Sequence, residues 1–236
     1  MISVVLPAFN EEPFLAATVA DLVDGLRARG TGFELLVVEN GSTDGTARLA
    51  VELSDRYDEV RALSIAAPDY GGALRHGFNQ ARGDVVANFD VDYYDLEFLD
   101  KALKLMESDG CVMVVAAKRG AGASDTRVLP RRLVTAVFAA ILRLAFRLRV
   151  VDTHGMKAMK REPFVAVVAA SNSGTDLYDT ELIIRAERAE LNVAAVPVLV
   201  EETRASRTSI TRRIPRTVRG LGRLWLQLRR EARHPS

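Results

Sequence analysis

Residues 84–95 read Asp-Val-Val-Ala-Asn-Phe-Asp-Val-Asp-Tyr-Tyr-Asp. The apolar run from Val85 to Phe89, interrupted only by Asn88, has the length and composition of a buried strand, and it ends by delivering Asp90 and Asp92, with Asp95 just beyond. On an extended chain, residues two apart point to the same side, so Asp90 and Asp92 can converge on one ligand. Two carboxylates that close repel unless a cation or a proton sits between them. Mg²⁺ is typically held by one or two carboxylates plus substrate phosphates, so the pair predicts a metal–diphosphate site. The competing reading is a solvated turn with an Asp capping a helix that starts near Leu96. For Asp95 alone, that is the preferred reading.

Working outward, Ile2–Leu6 is a β-branched-rich strand ended by Pro7, and Phe14, Leu15, Val19, Leu22, Val23 and Leu26 then mark one face of a helix. Residues 34–39 form a second strand, and the turn-rich loop Asn40 to Thr46 leads into a second helix with Asp44 or Ser42 as N-cap. A third strand covers 60–65, and a third helix covers 74–81 after a Gly71-Gly72 loop. Those two glycines suit either a phosphate approached by backbone or a plain flexible turn. Apolar strands alternating with helices predict a mostly parallel α/β sheet covered on both faces. In such sheets ligands bind beyond the carboxyl ends of the strands, where the Pro7–Glu12 loop, the Glu39–Asp44 loop and Asp90/Asp92 all fall. Neither G-x-G-x-x-G after the first strand nor G-x-x-x-x-G-K-[ST] occurs, so dinucleotide and P-loop readings are unsupported.

The length of 236 residues suits one substantial domain with a tail, divided here into 1–200 and 201–236. The single cysteine, Cys111, excludes an intrachain disulfide and sits in an apolar run as a small core residue. The net charge of +1 hides an asymmetry: residues 201–236 carry ten arginines against three glutamates, so the first 200 residues carry a net −6. A basic terminus on an acidic body points to an anionic surface or substrate. One Trp and no recognisable motif argue against nucleic acid. The N-terminus lacks a secretory pattern, and Arg143, Arg147 and Arg149 break the long apolar stretch 133–151, so a peripheral rather than a spanning relation to a membrane is expected.

Four segments together resemble the family 2 glycosyltransferases of the GT-A fold, and within them the dolichol-phosphate mannose synthase-like branch. They are Val4–Glu12, Val38–Thr46, the Gly71–Gly83 stretch leading into Asp90-Val91-Asp92, and Asp179-Thr180-Glu181 before a helix over 183–189. The resemblance implies a Rossmann-like, mostly parallel sheet with a C-terminal amphipathic helix. It also implies a nucleotide-sugar donor held by Pro7, Phe9, Asn10, Glu11, Glu39, Asn40, Asp44 and Asp90, with Mg²⁺ or Mn²⁺ on Asp90 and Asp92. Glu39 stands where the branch usually has Asp, and Tyr94 where it often has a metal-contacting Gln, with Asp95 a possible substitute ligand. Asp152-Thr153-His154-Gly155-Met156-Lys157 is similar to another segment of the branch, with His154 expected to be structural.

The resemblance further implies a polyprenyl-phosphate acceptor bound by Arg127, Arg131, Arg204 and Ser209, with Asp92, Asp179 and Arg204 carrying the reaction. An alcohol acceptor needs a general base, for which Asp179 is the candidate; a phosphate is already anionic. The alternative role for Asp179 is to cap the following helix. Downstream, Ile214, Val218, Leu221, Leu224, Trp225 and Leu228 recur at helical spacing among arginines, which reads as an interfacial helix. The competing reading is a helix docked on its own domain with a solvated basic face. The expectation is therefore inverting sugar transfer to a polyprenyl phosphate at the cytoplasmic face of the cell membrane. Transfer to a soluble or glycan hydroxyl is the first alternative, and a catalytically silent nucleotide-sugar-binding module the second.

Overall fold

The computed structural model describes residues 1–117, 124–125, 129–150, 153–174, 177–200 and 210–233. In chain order the elements are β1 (Ile2–Ala8), α1 (Glu12–Ala28), β2 (Phe33–Asn40), α2 (Thr46–Arg56), β3 (Val60–Ile65), α3 (Tyr70–Gln80), β4 (Val85–Asn88), α4 (Leu96–Ser108), β5 (Met113–Ala117), β6 (Ser124–Asp125), α5 (Leu129–Phe146), β7 (Lys157–Lys160), α6 (Arg161–Ala170), α7 (Tyr178–Arg188), β8 (Val193–Pro197), β9 (Leu199–Val200) and α8 (Ile210–Arg233). Seven strands form one sheet in the order β3-β2-β1-β4-β7-β5-β8. All neighbours are parallel except at β7, which runs antiparallel between β4 and β5.

The apolar strand runs are explained by burial on both faces. On one face Leu15, Val19 and Leu22 of α1, Leu53 of α2, and Phe98 and Leu99 of α4 close the core. On the other, Leu74 and Phe78 of α3, Phe164 of α6, and Leu182 and Ile183 of α7 form a second cluster, which also contains Leu221, Leu224 and Leu228 of α8. Burying each such side chain contributes about 1.5–3 kcal/mol, so both layers are needed to hold the sheet.

Pro7 does not end β1, as the sequence suggests, but pairs with Val38 of β2 inside it. Pairing between β1 and β4 stops at Val5 and Asn88, followed by one bond from the Phe89 N–H to the Val5 carbonyl at 3.0 Å. Two residues on, the N–H that Pro7 lacks falls on the side where β4 has already ended, so no ladder bond is lost. Another departure is that Gly71 and Gly72 lie in the first turn of α3 rather than in a loop. A Cβ on Gly71 would meet the Tyr178 Cβ at 2.6 Å, so this glycine allows α3 to pack against α7.

Candidate active site

The C-terminal ends of β1, β2 and β4 bring three segments together. Asn10 adopts φ 54°, a left-handed conformation that Asn tolerates better than most residues. Its N–H donates to Ser42 Oγ at 3.1 Å, and its Oδ1 accepts from the Thr43 N–H at 2.8 Å. The Glu11 N–H donates to Thr46 Oγ1 at 2.8 Å, and Glu12 Oε2 accepts from the Gly45 N–H at 2.9 Å. The two loops expected to hold the nucleoside are thus stitched to each other. Asp44 takes part in this stitching, accepting from the Thr46 N–H at 3.0 Å and from the Thr46 hydroxyl. Glu39 and Asn40 are buried at the end of β2. One Glu39 oxygen accepts from the Ser42 N–H, and the other accepts from Ser64 Oγ at 2.9 Å. Pro7 is buried, and Phe9 is exposed at the loop's tip.

The acidic segment is a tight turn and not the extended chain expected from the sequence. The Asp90 and Tyr93 backbones bond reciprocally at 3.1 Å, which leaves Val91 and Asp92 at the bend. The turn is anchored below by Val91, which is buried and whose carbonyl accepts from Thr18 Oγ1 of α1 at 2.7 Å. Asp92 stands exposed at the bend. Asp95 caps α4 through Oδ1, accepting from the Glu97 and Phe98 N–H groups at 2.8 and 3.2 Å, the capping role preferred for it from the sequence. Tyr94 points to α1, where its hydroxyl donates to Asp21 Oδ2 at 2.9 Å.

Two side chains outside the sequence expectation complete the centre. The Tyr70 hydroxyl, at the start of α3, donates to Asp90 Oδ1 at 2.8 Å. Lys157, the first residue of β7, is 1% exposed, and its ammonium lies 3.0 Å from Asp179 Oδ1 and donates to the Gly155 carbonyl at 2.6 Å. The Lys157–Asp179 contact is an ion pair without the alignment of a hydrogen bond, so Asp179 Oδ1 receives no directed donor. Gly155 has φ 111°, which favours glycine, and its carbonyl also accepts from Asn88 Nδ2 at 3.4 Å. Thr153 and Thr180 hydroxyls bond at 2.9 Å and fasten this turn to α7. A lone cation in the apolar run 156–159 was the available signal for Lys157, because a buried ammonium requires a counter-charge. Tyr70 gave no comparable signal.

Asp179 and Glu181 lie in the first turn of α7 rather than before the helix, and neither caps it. Glu181 accepts from the Asn172 and Ser173 N–H groups at 2.9 and 2.6 Å and pairs with Arg185 at 2.7 Å. His154 is exposed, with its ring 5.8 Å from that of Phe138 and Nδ1 3.1 Å from Thr153 Oγ1. Arg127, Asp152, Arg204 and Ser209 lie outside the described residues; Arg131 lies on α5, with its side chain outside them.

Burial pushes the Asp90 carboxyl up, the Tyr70 hydrogen bond opposes this, Asp179 and Asp92 raise it further, and Lys157 lowers it; the outcome is about 6. The phenol of Tyr70 is driven well above its ordinary range by burial and by Asp90. Among the described residues, the carboxylates of Asp179 and Asp92 and the ammonium of Lys157 thus act in opposite senses on Asp90. Hard carboxylate oxygens suit Mg²⁺ or Mn²⁺. Among the described residues no group of three or more His, Cys, Asp or Glu side chains could hold a metal. A cation on the Asp90/Asp92 pair would need further ligands from elsewhere, such as diphosphate oxygens or water.

A mostly parallel sheet with an acidic turn beyond its central strand and two linked loops at the same edge defines the GT-A class of glycosyltransferase folds. The sequence pattern described as Glycosyl transferase family 2 matches residues 3–167, and the chain belongs to that family. It is 30% identical over 232 residues to glycosyltransferase AglD of Haloferax volcanii, covering 96% of this chain and 37% of AglD. It is 26% identical over 227 residues to the dolichyl-phosphate beta-glucosyltransferase of Mus musculus, covering 87% of this chain and 69% of that protein. The chain thus spans little more than a third of AglD and about two thirds of the mouse protein. The crystal structure of glucosyl-3-phosphoglycerate synthase from Mycobacterium tuberculosis with Mn²⁺, UDP and glucosyl-3-phosphoglycerate matches with a TM-score of 0.62 at 26% identity, covering 91% of this chain and 75% of that one.

Proposed function

We propose that the chain carries out inverting transfer of a sugar from a GDP- or UDP-linked donor to a polyprenyl phosphate at the cytoplasmic face of a membrane. The observation that carries this reading is the Asp90–Tyr93 turn, which sets Asp90 and Asp92 beside the stitched 10–12 and 42–46 loops. Asp90 and Asp92 would hold Mg²⁺ or Mn²⁺, which when bound neutralises charge on the leaving diphosphate. The Pro7–Glu11 loop, Glu39, Asn40 and Asp44 form the donor side, directly or by holding its loops in place. Arg127, Arg131, Arg204 and Ser209 would clasp the acceptor phosphate, since guanidinium and hydroxyl groups suit a phosphate monoester. The name of the mouse relative supports a lipid-phosphate acceptor.

A second reading, a soluble hydroxyl acceptor, is favoured by the mycobacterial synthase with its bound glucosyl-3-phosphoglycerate. Asp179 would then be the base. Against it stands the Lys157–Asp179 pair: a proton taken by Asp179 would leave a buried ammonium without its counter-charge. Among the described residues no helix is long and apolar enough to cross a membrane, and the proposed membrane contact falls to the basic side of α8.

The test is incubation with GDP- and UDP-sugars, Mg²⁺ or Mn²⁺, and either polyprenyl phosphate in vesicles or soluble alcohols, with products read by mass. Lipid-linked product that disappears with EDTA is expected. Arg204→Ala should lower acceptor kcat/KM roughly ten- to a hundredfold, as loss of one charge-assisted hydrogen bond worth about 1.5–3 kcal/mol implies. Asp179→Asn nearly inactive beside Arg204→Ala nearly normal would establish the hydroxyl reading.

A further inference from the structure

Ala8, Glu39 and Ser64 form one row across β1, β2 and β3 at the C-terminal edge of the sheet, since Glu39 is in register with both neighbours. Glu39 is 5% exposed, and its two oxygens are held by different donors, the Ser42 N–H on one and Ser64 Oγ, at 2.9 Å, on the other. Gly41, at φ 72°, makes the turn that returns the Ser42 N–H to Glu39, and a Cβ there would come within 2.9 Å of the Pro68 nitrogen. Ser42 Oγ in turn accepts from the Asn10 N–H at 3.1 Å. The carboxylate is therefore fixed from two sides, at the edge that carries the 10–12 and 42–46 loops. Ser64 itself stands exposed on the edge strand β3, so its hydroxyl is dispensable to the core.

An ionised carboxylate accepts and never donates, and it offers about four lone-pair sites. Two neutral donors fill only part of that capacity among the described residues, and a nearly buried carboxylate gains from each further donor. Nucleobases divide by the ring nitrogen they present: uracil and guanine carry a ring N–H beside a carbonyl, whereas cytosine and adenine carry a bare acceptor nitrogen there. We propose that Ser64 is a positioning residue for donor specificity: it holds the Glu39 carboxylate as an acceptor-only edge that selects bases with a donating ring N–H, uracil or guanine, over cytosine and adenine. The inference rests on the reading of Glu39 as part of the donor side.

The experiment is calorimetric binding of UDP, GDP, CDP, ADP and inorganic pyrophosphate to the full chain with Mn²⁺ present, for the parent and its variants. The parent should prefer UDP or GDP over CDP and ADP. Ser64→Ala should weaken the preferred nucleotide by about two- to tenfold, the range for one net hydrogen bond. CDP and pyrophosphate should stay where they were, so the selectivity ratio falls by the same factor. Ser64→Thr keeps the hydroxyl on a residue that suits a strand and should restore the ratio. Glu39→Gln, whose amide both donates and accepts, should narrow the ratio by admitting cytosine. An unchanged ratio in Ser64→Ala, a ratio that Ser64→Thr does not restore, or a parent indifferent to the base would each overturn the inference. Pyrophosphate weakened alongside the nucleotide would also overturn it, by reducing Ser64 to a structural role. Glu39→Ala with parent affinity for UDP and GDP would instead defeat the placement of Glu39 on the donor side, whatever Ser64 does.

Discussion

Replacing Leu224 by Ala tests whether the C-terminal helix belongs to the folded body. Leu224 is 2% exposed and shares an apolar cluster with Leu182 and Ile183 of α7. Around it, Arg185 reaches Glu231 at 2.8 Å, Arg188 donates to the Leu228 carbonyl at 3.3 Å, and a Cβ on Gly220 would strike Leu177. Removing a buried leucine side chain costs about 2–5 kcal/mol, through lost transfer energy and the cavity left behind. Against a total stability of roughly 5–15 kcal/mol, that is a large share. The assay is urea unfolding followed by far-UV circular dichroism and by fluorescence of Trp225, the single tryptophan of the chain, whose ring lies 3.6 Å from the Arg229 guanidinium. With a slope of about 1–3 kcal/mol per molar urea, the midpoint should fall by roughly 1 M or more, with both probes moving together. The control is Leu226→Ala, at a residue 51% exposed, which should stay within about 0.5 kcal/mol of the parent. A Leu224→Ala loss below about 1 kcal/mol, or a tryptophan transition separate from that of the backbone, would refute docking and restore a free interfacial helix.

Two further outcomes follow from the site and the sheet. Tyr70→Phe removes the donor to Asp90 and should weaken metal-dependent nucleotide binding by about ten- to a hundredfold, read by calorimetry with and without EDTA; an unchanged affinity would deny Tyr70 any hold on Asp90. Glu34 accepts from Ser3 Oγ, the Arg82 N–H and Arg61, each at 2.6 Å, and although burial pushes its carboxyl up, these bonds outweigh it and hold the carboxyl below the ordinary 4.5. A depressed folded value contributes stability above about pH 4.5 that is lost as pH falls through it. Glu34→Gln should therefore flatten the acid limb of the stability curve, and a parallel limb in both proteins would show that the network contributes nothing.

The parallel sheet was legible because its strands are apolar on both faces and separated by amphipathic helices, and β3 occupies the span read from sequence, 60–65. Boundaries failed where tertiary contact overrides local preference. The Gly71-Gly72 pair looks like a loop until Tyr178 is placed against it, and Asp179 looks like a cap until Lys157 is opposite it across |i−j| of more than twenty residues. The acidic turn was legible as chemistry but not as shape: spacing identified Asp90 and Asp92, while the backbone bonds to Tyr93 that bend the chain have no sequence signature. The amphipathic helix was legible, but which surface it covers was not, since docking and interfacial helices share one pattern. Leu221, Leu224 and Leu228 share the apolar cluster of Leu182 and Ile183, the arrangement given by the docked reading of this helix.

Helix α7 joins the two ends of this argument. Its first turn presents Asp179 to Lys157 and carries Glu181, which pairs with Arg185 one turn on, and through Arg185 Glu231 of α8 is held. Glu181 also fastens the backbone of Asn172 and Ser173 ahead of the helix. Truncation before α8 would therefore remove more than a basic surface: it would uncover the Leu182 cluster and strip Arg185 of one of its two carboxylates, on the helix that carries Asp179. Membrane binding is better tested by charge reversal at the exposed Arg219, Arg223 and Arg230, which leaves Leu221, Leu224 and Leu228 in place. Each lost cation near an anionic surface should cost about 1 kcal/mol of vesicle binding, with the nucleotide site unchanged. Equal sedimentation of parent and triple variant with anionic vesicles would show that this face takes no part in membrane attachment.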